Sequence, residues 1–230
     1  MKKRNSIKRL GVTSSAVVTL SLALVSWGNS SPEVKALTIE GESTSQELLT
    51  ALQEGGHVIY FRHGTAVRDG RPDAIEQLPN QFQECLDPGR PLSQDGLVEM
   101  QNVGEYFEQL NIPVGRVLAS PFCRCIETVW YAFDNDVAKL EVVNSLNGIS
   151  DKSSSDPVEI WTSLHELLEI VPKVGTNTVL SAHSSNIKAL TGLNVAEGEA
   201  VVFKPDGKGW FELVARIEKD DWQSLSSEIK

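Results

Sequence analysis

Apolar residues fall at helical spacing in three stretches, each opened by capping residues. Thr44-x-x-Glu47 forms a capping box ahead of Leu48, Leu49 and Leu52, and Gly55-Gly56 closes that helix. Ser93 precedes Leu97, Met100, Val103 and Phe107, which predicts a helix of about four turns. Asp156-Pro157-x-Glu159 combines an N-cap, a proline in the first turn and an acidic third residue ahead of Trp161, Leu164 and Leu168, with a stop at Pro172. Between the helices lie continuous apolar runs at 57–61, 116–119 and 178–182. Short runs without polar alternation are what a parallel sheet covered on both faces requires. Residues 200–203 and 210–217, joined by the turn 204–209, read as an antiparallel hairpin. The predicted fold class is α/β, a three-layer αβα sandwich around a mostly parallel sheet with a hairpin near the C-terminus. No repeat or low-complexity tract occurs, and residues 37–230 read as one domain.

The chain begins differently. Residues 1–10 are polybasic, 11–27 apolar with interspersed hydroxyls, and 28–32 small and polar, the layout of a secretory signal peptide. The apolar run is about 16 residues, short of the roughly 20 that cross a bilayer as a helix. Residues 1–36 are assigned to a signal peptide and short linker, cleavage is expected after Gly28, Ser30 or Ala36, and the mature protein is expected to be periplasmic or secreted. An uncleaved N-terminal membrane anchor is the alternative.

Removing that segment changes the charge balance. The chain holds 21 Lys+Arg against 31 Asp+Glu, and five of the basic residues but no acidic one lie in the first 28. A body that acidic attracts neither nucleic acid nor anionic lipid, so neither is an expected partner of the mature protein. A phosphorylated ligand would need a local cluster of cations. Three cysteines follow: Cys85, Cys123 and Cys125. Cys-x-Cys is awkward to close on itself, so in an oxidising compartment the expectation is a bridge from Cys85 to Cys123 or Cys125. Three reduced thiols is the other reading.

All three predicted parallel strands end in residues that bind or transfer phosphate. The first runs into Arg62-His63-Gly64, the second into Ser120-Pro121 and then Arg124, and the third into His183. Ligands of open α/β sheets sit outside the carboxyl ends of the strands, so the topology delivers two arginines and two histidines to one crevice. Arginine supplies forked donors to phosphate oxygens, and neutral imidazole is a nucleophile near neutral pH. Gly64 is expected to permit a sharp turn and leave room for phosphate. His57 begins its strand and falls on the wrong side of the sheet, and His165 is read as a solvated or packed helical residue. Other nucleophiles fail on spacing. The residues six beyond the cysteines are Pro91, Val129 and Tyr131, so no Cys-x5-Arg loop exists, and Gly-x-Ser-x-Gly, Walker and His-Glu-x-x-His motifs are absent.

The chain thereby resembles the histidine phosphatase superfamily, also called phosphoglycerate-mutase-like. The resemblance is carried by Tyr60-Phe61-Arg62-His63-Gly64, by Ala119-Ser120-Pro121-Phe122-Cys123-Arg124-Cys125-Ile126-Glu127-Thr128, and by Ala182-His183-Ser184-Ser185-Asn186-Ile187. Arg90-Pro91-Leu92-Ser93-x-x-Gly96 resembles the segment leading into the family's second helix, and Glu197-Gly198-Glu199-Ala200-Val201-Val202-Phe203 its late strand. It implies that His63 is the nucleophile that becomes phosphohistidine. Arg62, Arg124 and His183 would bind the phosphoryl group of a small phosphorylated substrate and stabilise its transition state. No metal or organic cofactor is implied, since these groups supply the positive charge.

One part of the family pattern is missing. A catalytic carboxylate is common either in the segment here reading Leu146-Asn147-Gly148 or directly after the second histidine, where Ser184 stands. Asp151 and Asp69 are the candidates for a proton donor, unless the leaving group needs none. Two function classes follow: a phosphatase, and a catalytically weak protein that binds phosphorylated ligands in the same pocket. A mutase is a third, less consistent with export.

Overall fold

The alternating direction of successive side chains along continuously apolar strands explains the layers of this fold. In the computed structural model the described residues are 45–70, 90–133, 140–148 and 156–227. All lie within the unit Ala36–Lys230. The predicted signal peptide, Thr44, Cys85 and Asp151 lie outside them.

Six strands form one sheet: β1 (Val58–Arg62), β2 (Val114–Ala119), β3 (Leu140–Val142), β4 (Asn177–Ala182), β5 (Ala200–Pro205) and β6 (Phe211–Ile217), in the order β3-β2-β4-β1-β5-β6. The first four are mutually parallel; β5 pairs antiparallel with β1, and β6 with β5. The mostly parallel sheet and the C-terminal hairpin are as the sequence predicts. The helices are α1 (Ser45–Glu54), α2 (Gln94–Gln109), α3 (Cys123–Phe133), α4 (Pro157–Glu169), α5 (Ser184–Thr191) and α6 (Asp221–Ser227). Among the described residues no helix is long and apolar enough to cross a membrane.

Successive strand residues point to opposite faces, so each buried strand feeds two cores. On one face Ile59, Phe61, Val117, Ala119, Val179 and Val202 pack with α1, α2, α3 and α6. On the other Val58, Tyr60, Leu118, Leu180, Ala182 and Val201 pack with α4 and α5. Phe61, Phe107, Phe133 and Trp222 make an aromatic cluster with ring centroids 4.8–6.4 Å apart, which fastens α2, α3 and α6 to β1.

The caps act as read. Ser93 Oγ accepts from Gly96 N at 3.1 Å and Asp156 Oδ1 from Val158 N at 2.8 Å. α1 ends at Gly55 and Gly56, with φ of +81° and +84° that other residues rarely adopt. β3, the one-turn 3-10 helix Asn144–Leu146, α5 and α6 were not expected. β3 has only three residues, and α5 starts at His183 without a side-chain cap, so neither carries a strong local signal. His165 packs among Trp161, Trp210 and Phe211 at 5.4–6.1 Å, a structural position.

Candidate active site

β1, β2 and β4 are adjacent and parallel, so their carboxyl ends open on one edge of the sheet. Arg62 is the last residue of β1 and His63 follows it; Arg124 sits in the first turn of α3 after β2; His183 caps α5 after β4. The four residues assigned to the site from sequence meet there. His63, Arg124 and His183 are 4%, 6% and 4% exposed, while the Arg62 side chain is 22% exposed. The two imidazoles lie 5.8 Å apart between centroids and 65° from coplanar.

Partner chemistry fixes both tautomers. His63 Nδ1 lies 2.9 Å from Gly64 O, an acceptor only, so Nδ1 carries the hydrogen and Nε2 keeps its lone pair. His183 Nδ1 lies 3.3 Å from Arg124 Nη2, a donor only, so Nδ1 accepts and Nε2–H donates to Ser120 Oγ at 2.8 Å. Beneath them Tyr60 donates its hydroxyl to His183 O at 2.7 Å, and burial pushes its phenol well above the usual range. The Phe122 ring supports the guanidinium of Arg124 at 4.8 Å and meets the His183 ring edge-on at 4.9 Å.

Arg62 is held from behind. Its Nη1 donates to Val195 O at 2.9 Å and its Nη2 to Glu197 Oε1 at 3.2 Å, and Glu197 also takes Arg68 Nη2 at 2.8 Å. Arg62 Nε is buried and makes no hydrogen bond within the described residues.

Both histidines are neutral. Burial and then Arg124, with Arg62 and Arg90 behind it, lower the His63 pKa to about 3. Burial, Arg124, His63 and Arg90 likewise push His183 well below its usual value. Their folded-state values are depressed, so their contribution to stability is complete above about pH 6.5 and is lost as pH falls toward those values, at up to about 1.4 kcal/mol per pH unit for each histidine. The urea midpoint is expected to drop between about pH 7 and about pH 5, and saturating inorganic phosphate to shrink that drop, because the anion offsets the arginine charge. A midpoint insensitive to pH over that interval would contradict the neutral buried pair. His57, at the other end of β1, has its pKa lowered to about 4 by burial and Lys204.

Arg90 is the site residue that sequence reasoning passed over, although it was read as part of the segment before α2. An antiparallel bridge between Ala66 and Leu92, with Ser93 N donating to Thr65 O at 2.8 Å, folds that segment back onto the loop that follows His63. Arg90 thereby acts electrostatically on both histidines. Its signal was non-local, since nothing in the sequence fixes how the loop before α2 returns. Arg90→Ala is expected to weaken binding of inorganic phosphate by on the order of tenfold to a hundredfold, the scale of losing one hydrogen bond to a charged group. Calorimetry checks it, and wild-type affinity would remove Arg90 from the site.

One expectation changes. Gly64 is buried and lacks a positive φ, so it makes no left-handed turn. A Cβ there would meet Met100 Cγ at 3.1 Å and Leu92 Cδ2 at 3.3 Å, so its smallness serves packing against α2 rather than space for phosphate. Asp69 is exposed, and the strongest charges on both histidines are arginines. The segment Leu146-Asn147-Gly148 does reach the site: a Cβ at Gly148 would lie 3.2 Å from the His183 ring, and Asn186 Nδ2 donates to Leu146 O and Asn147 O at 2.9 and 3.1 Å. The segment carries no carboxylate.

Cys123 is disulfide-bonded, whereas Cys125 keeps a buried thiol 3.7 and 3.9 Å from the His183 nitrogens. Of the two bridges left open by the sequence, the one through Cys125 is therefore ruled out.

No protein-family model matches the chain, and no curated protein sequence does either. Solved structures do. The protein histidine phosphatase SixA complexed with tungstate superposes with a TM-score of 0.53 at 19% identity, covering 72% of this chain and 98% of that one. Phosphoserine phosphatase from Entamoeba histolytica, in complex with 3-phosphoglyceric acid, gives a TM-score of 0.47 at 13% identity over 70% of this chain and 95% of that one. With its sheet order, its crossover helices and the strand ends that carry Arg62, His63, Arg124 and His183, the chain has the phosphoglycerate-mutase-like fold of the histidine phosphatases.

Proposed function

We propose that this protein is a phosphohydrolase that works through a phosphorylated His63. The observation that carries the reading is the state of that side chain. It is a neutral imidazole with Nδ1–H tied to Gly64 O, beside a second neutral histidine and within the field of Arg62, Arg90 and Arg124. A phosphoryl dianion finds there the positive charge that the acidic remainder of the chain lacks.

His63 Nε2 attacks phosphorus, the bond from phosphorus to the leaving group breaks, and the electron pair departs with that group. Water then attacks the phosphohistidine and releases phosphate, restoring His63. Arg62 and Arg124 stay cationic throughout and offer donors to the equatorial oxygens, where preorganised charge stabilises the transition state. His183 can turn its Nε2–H from Ser120 to the same oxygens. With no carboxylate in Leu146-Asn147-Gly148 or directly after His183, the favoured substrates are those whose leaving group departs without a proton. SixA is a protein histidine phosphatase, and a phosphohistidine whose other ring nitrogen already carries a proton is one such substrate, since its imidazole leaves neutral. Nitrophenyl phosphate is another, and it tests the proposal: turnover is expected in the presence of EDTA, faster than that of glycerol phosphate. Absence of turnover, with phosphate still bound, would favour the phospho-ligand-binding alternative. Activity lost to EDTA and regained with zinc would overturn the histidine mechanism.

The basic, apolar and small-residue succession of residues 1–32 supports export, which we propose with it. N-terminal sequencing of the protein from its native host is expected to find a start between about residues 29 and 37. A cytosolic protein retaining Met1 would refute this.

A further inference from the structure

Arg124, Glu127 and Thr128 occupy positions i, i+3 and i+4 of α3 and so share one helix face, and all three are buried at 6%, 9% and 0% exposure. The mechanism uses only the first. Thr128 Oγ1 donates to Arg124 O at 2.6 Å, the bond by which a helical threonine ties back to the preceding turn. With one of its lone pairs the same oxygen accepts from Gly64 N at 2.9 Å. A single hydroxyl thus connects the backbone of the residue that supplies Arg124 to the backbone of the residue following His63. Glu127 makes the equivalent tie to the third segment, accepting Leu92 N at 2.6 Å, two residues from Arg90.

From this geometry, and resting on the proposed phosphatase reading, we infer that Thr128 is a positioning residue that sets the separation of the His63 nucleophile from the Arg124 guanidinium. Gly64 matters twice over here. Its carbonyl fixes the His63 tautomer and its N–H is the group Thr128 holds, so the residue that orients the imidazole is itself tied to α3. The β1 end and the α3 start are 64 residues apart in sequence between Gly64 and Thr128, and this hydroxyl joins them directly.

A ligand in the transition-state shape needs the apical nitrogen and the equatorial donors at one spacing, whereas a tetrahedral anion is held by charge and tolerates a shift of a few tenths of an ångström. The test therefore compares orthovanadate with inorganic phosphate, measured by calorimetry on the full mature chain, in wild type, Thr128→Val and Thr128→Ser. Valine keeps the shape and removes the hydroxyl; serine restores it. The expectation is that Thr128→Val weakens vanadate by on the order of tenfold or more and phosphate by less than about threefold, that kcat on nitrophenyl phosphate falls with vanadate affinity while KM changes little, and that Thr128→Ser recovers both. Thermal unfolding run in parallel shows that each variant is folded. Equal weakening of both anions would show a merely structural role and overturn the inference, as would wild-type vanadate affinity in Thr128→Val or failure of serine to restore it. Wild-type protein that binds vanadate without hydrolysing any phosphate compound sinks the phosphatase reading separately, and the anion comparison still decides the role of Thr128.

Discussion

His63→Ala is expected to abolish phosphohydrolase activity, and no other substitution in the site is expected to do as much. Among the described residues no other imidazole at this strand edge has an unengaged ring nitrogen. The Nδ1 of His183 is held by Arg124 and its Nε2–H is directed to Ser120, and the Cys125 thiol is buried beside that ring. The nucleophile is also ready before substrate arrives. With its pKa lowered to about 3, His63 is unprotonated at any pH where the protein would be assayed, and no base has to take a proton from it. The measurement is twofold: turnover of nitrophenyl phosphate, and acid-labile, base-stable phosphate trapped on the wild-type chain and mapped by mass spectrometry. The label should lie on His63 and disappear in His63→Ala while the variant still binds phosphate. Full activity in that variant would falsify the nucleophile assignment.

The parts of this site that were legible in the sequence are those set by strand ends. Apolar runs of fixed length place Arg62-His63, Ser120 and His183 at one edge of the sheet once the strands are parallel and adjacent, and that arrangement follows from helices intervening between the runs. The N-caps at Ser93 and Asp156 were legible because capping is local chemistry. What escaped was non-local. Arg90 reaches the site through the Ala66–Leu92 bridge and the Glu127–Leu92 bond, contacts that join three segments far apart in sequence. The role of Gly64 was misread for the same reason, since whether a glycine serves a turn or a close contact depends on what stands opposite, here Leu92 and Met100. The two bridges open to Cys85 were equivalent on paper. They differ in the fold because Cys123 and Cys125, two apart on a helix, cannot present their sulfurs in the same direction, and Cys125 turns toward His183.

Arg124→Ala is expected to lower kcat by on the order of 10²–10³-fold, the scale of removing one preorganised donor to transition-state charge, and also to change how the rate depends on pH. Both effects arise from the same atoms. The guanidinium, stacked 4.8 Å from the centre of the Phe122 ring, holds the Nδ1 of His183 and is the strongest charge acting on either histidine. Without it an imidazolium at position 63 or 183 is less costly, so both pKa values rise toward the ordinary histidine range. The sign is fixed: a higher pKa means a larger protonated fraction as pH falls, and a protonated His63 has no lone pair to offer. For the free enzyme, kcat/KM of the wild type, corrected for ionisation of the substrate phosphate, should be flat from about pH 8 to about pH 5, whereas Arg124→Ala should show an acid limb entering that interval. Arg124→Lys should restore the flat profile more fully than it restores kcat, because an ammonium supplies the charge but not the planar fork that spans two phosphate oxygens. A profile unchanged by Arg124→Ala would mean that burial alone keeps the histidines neutral, and the role of Arg124 would shrink to binding phosphate.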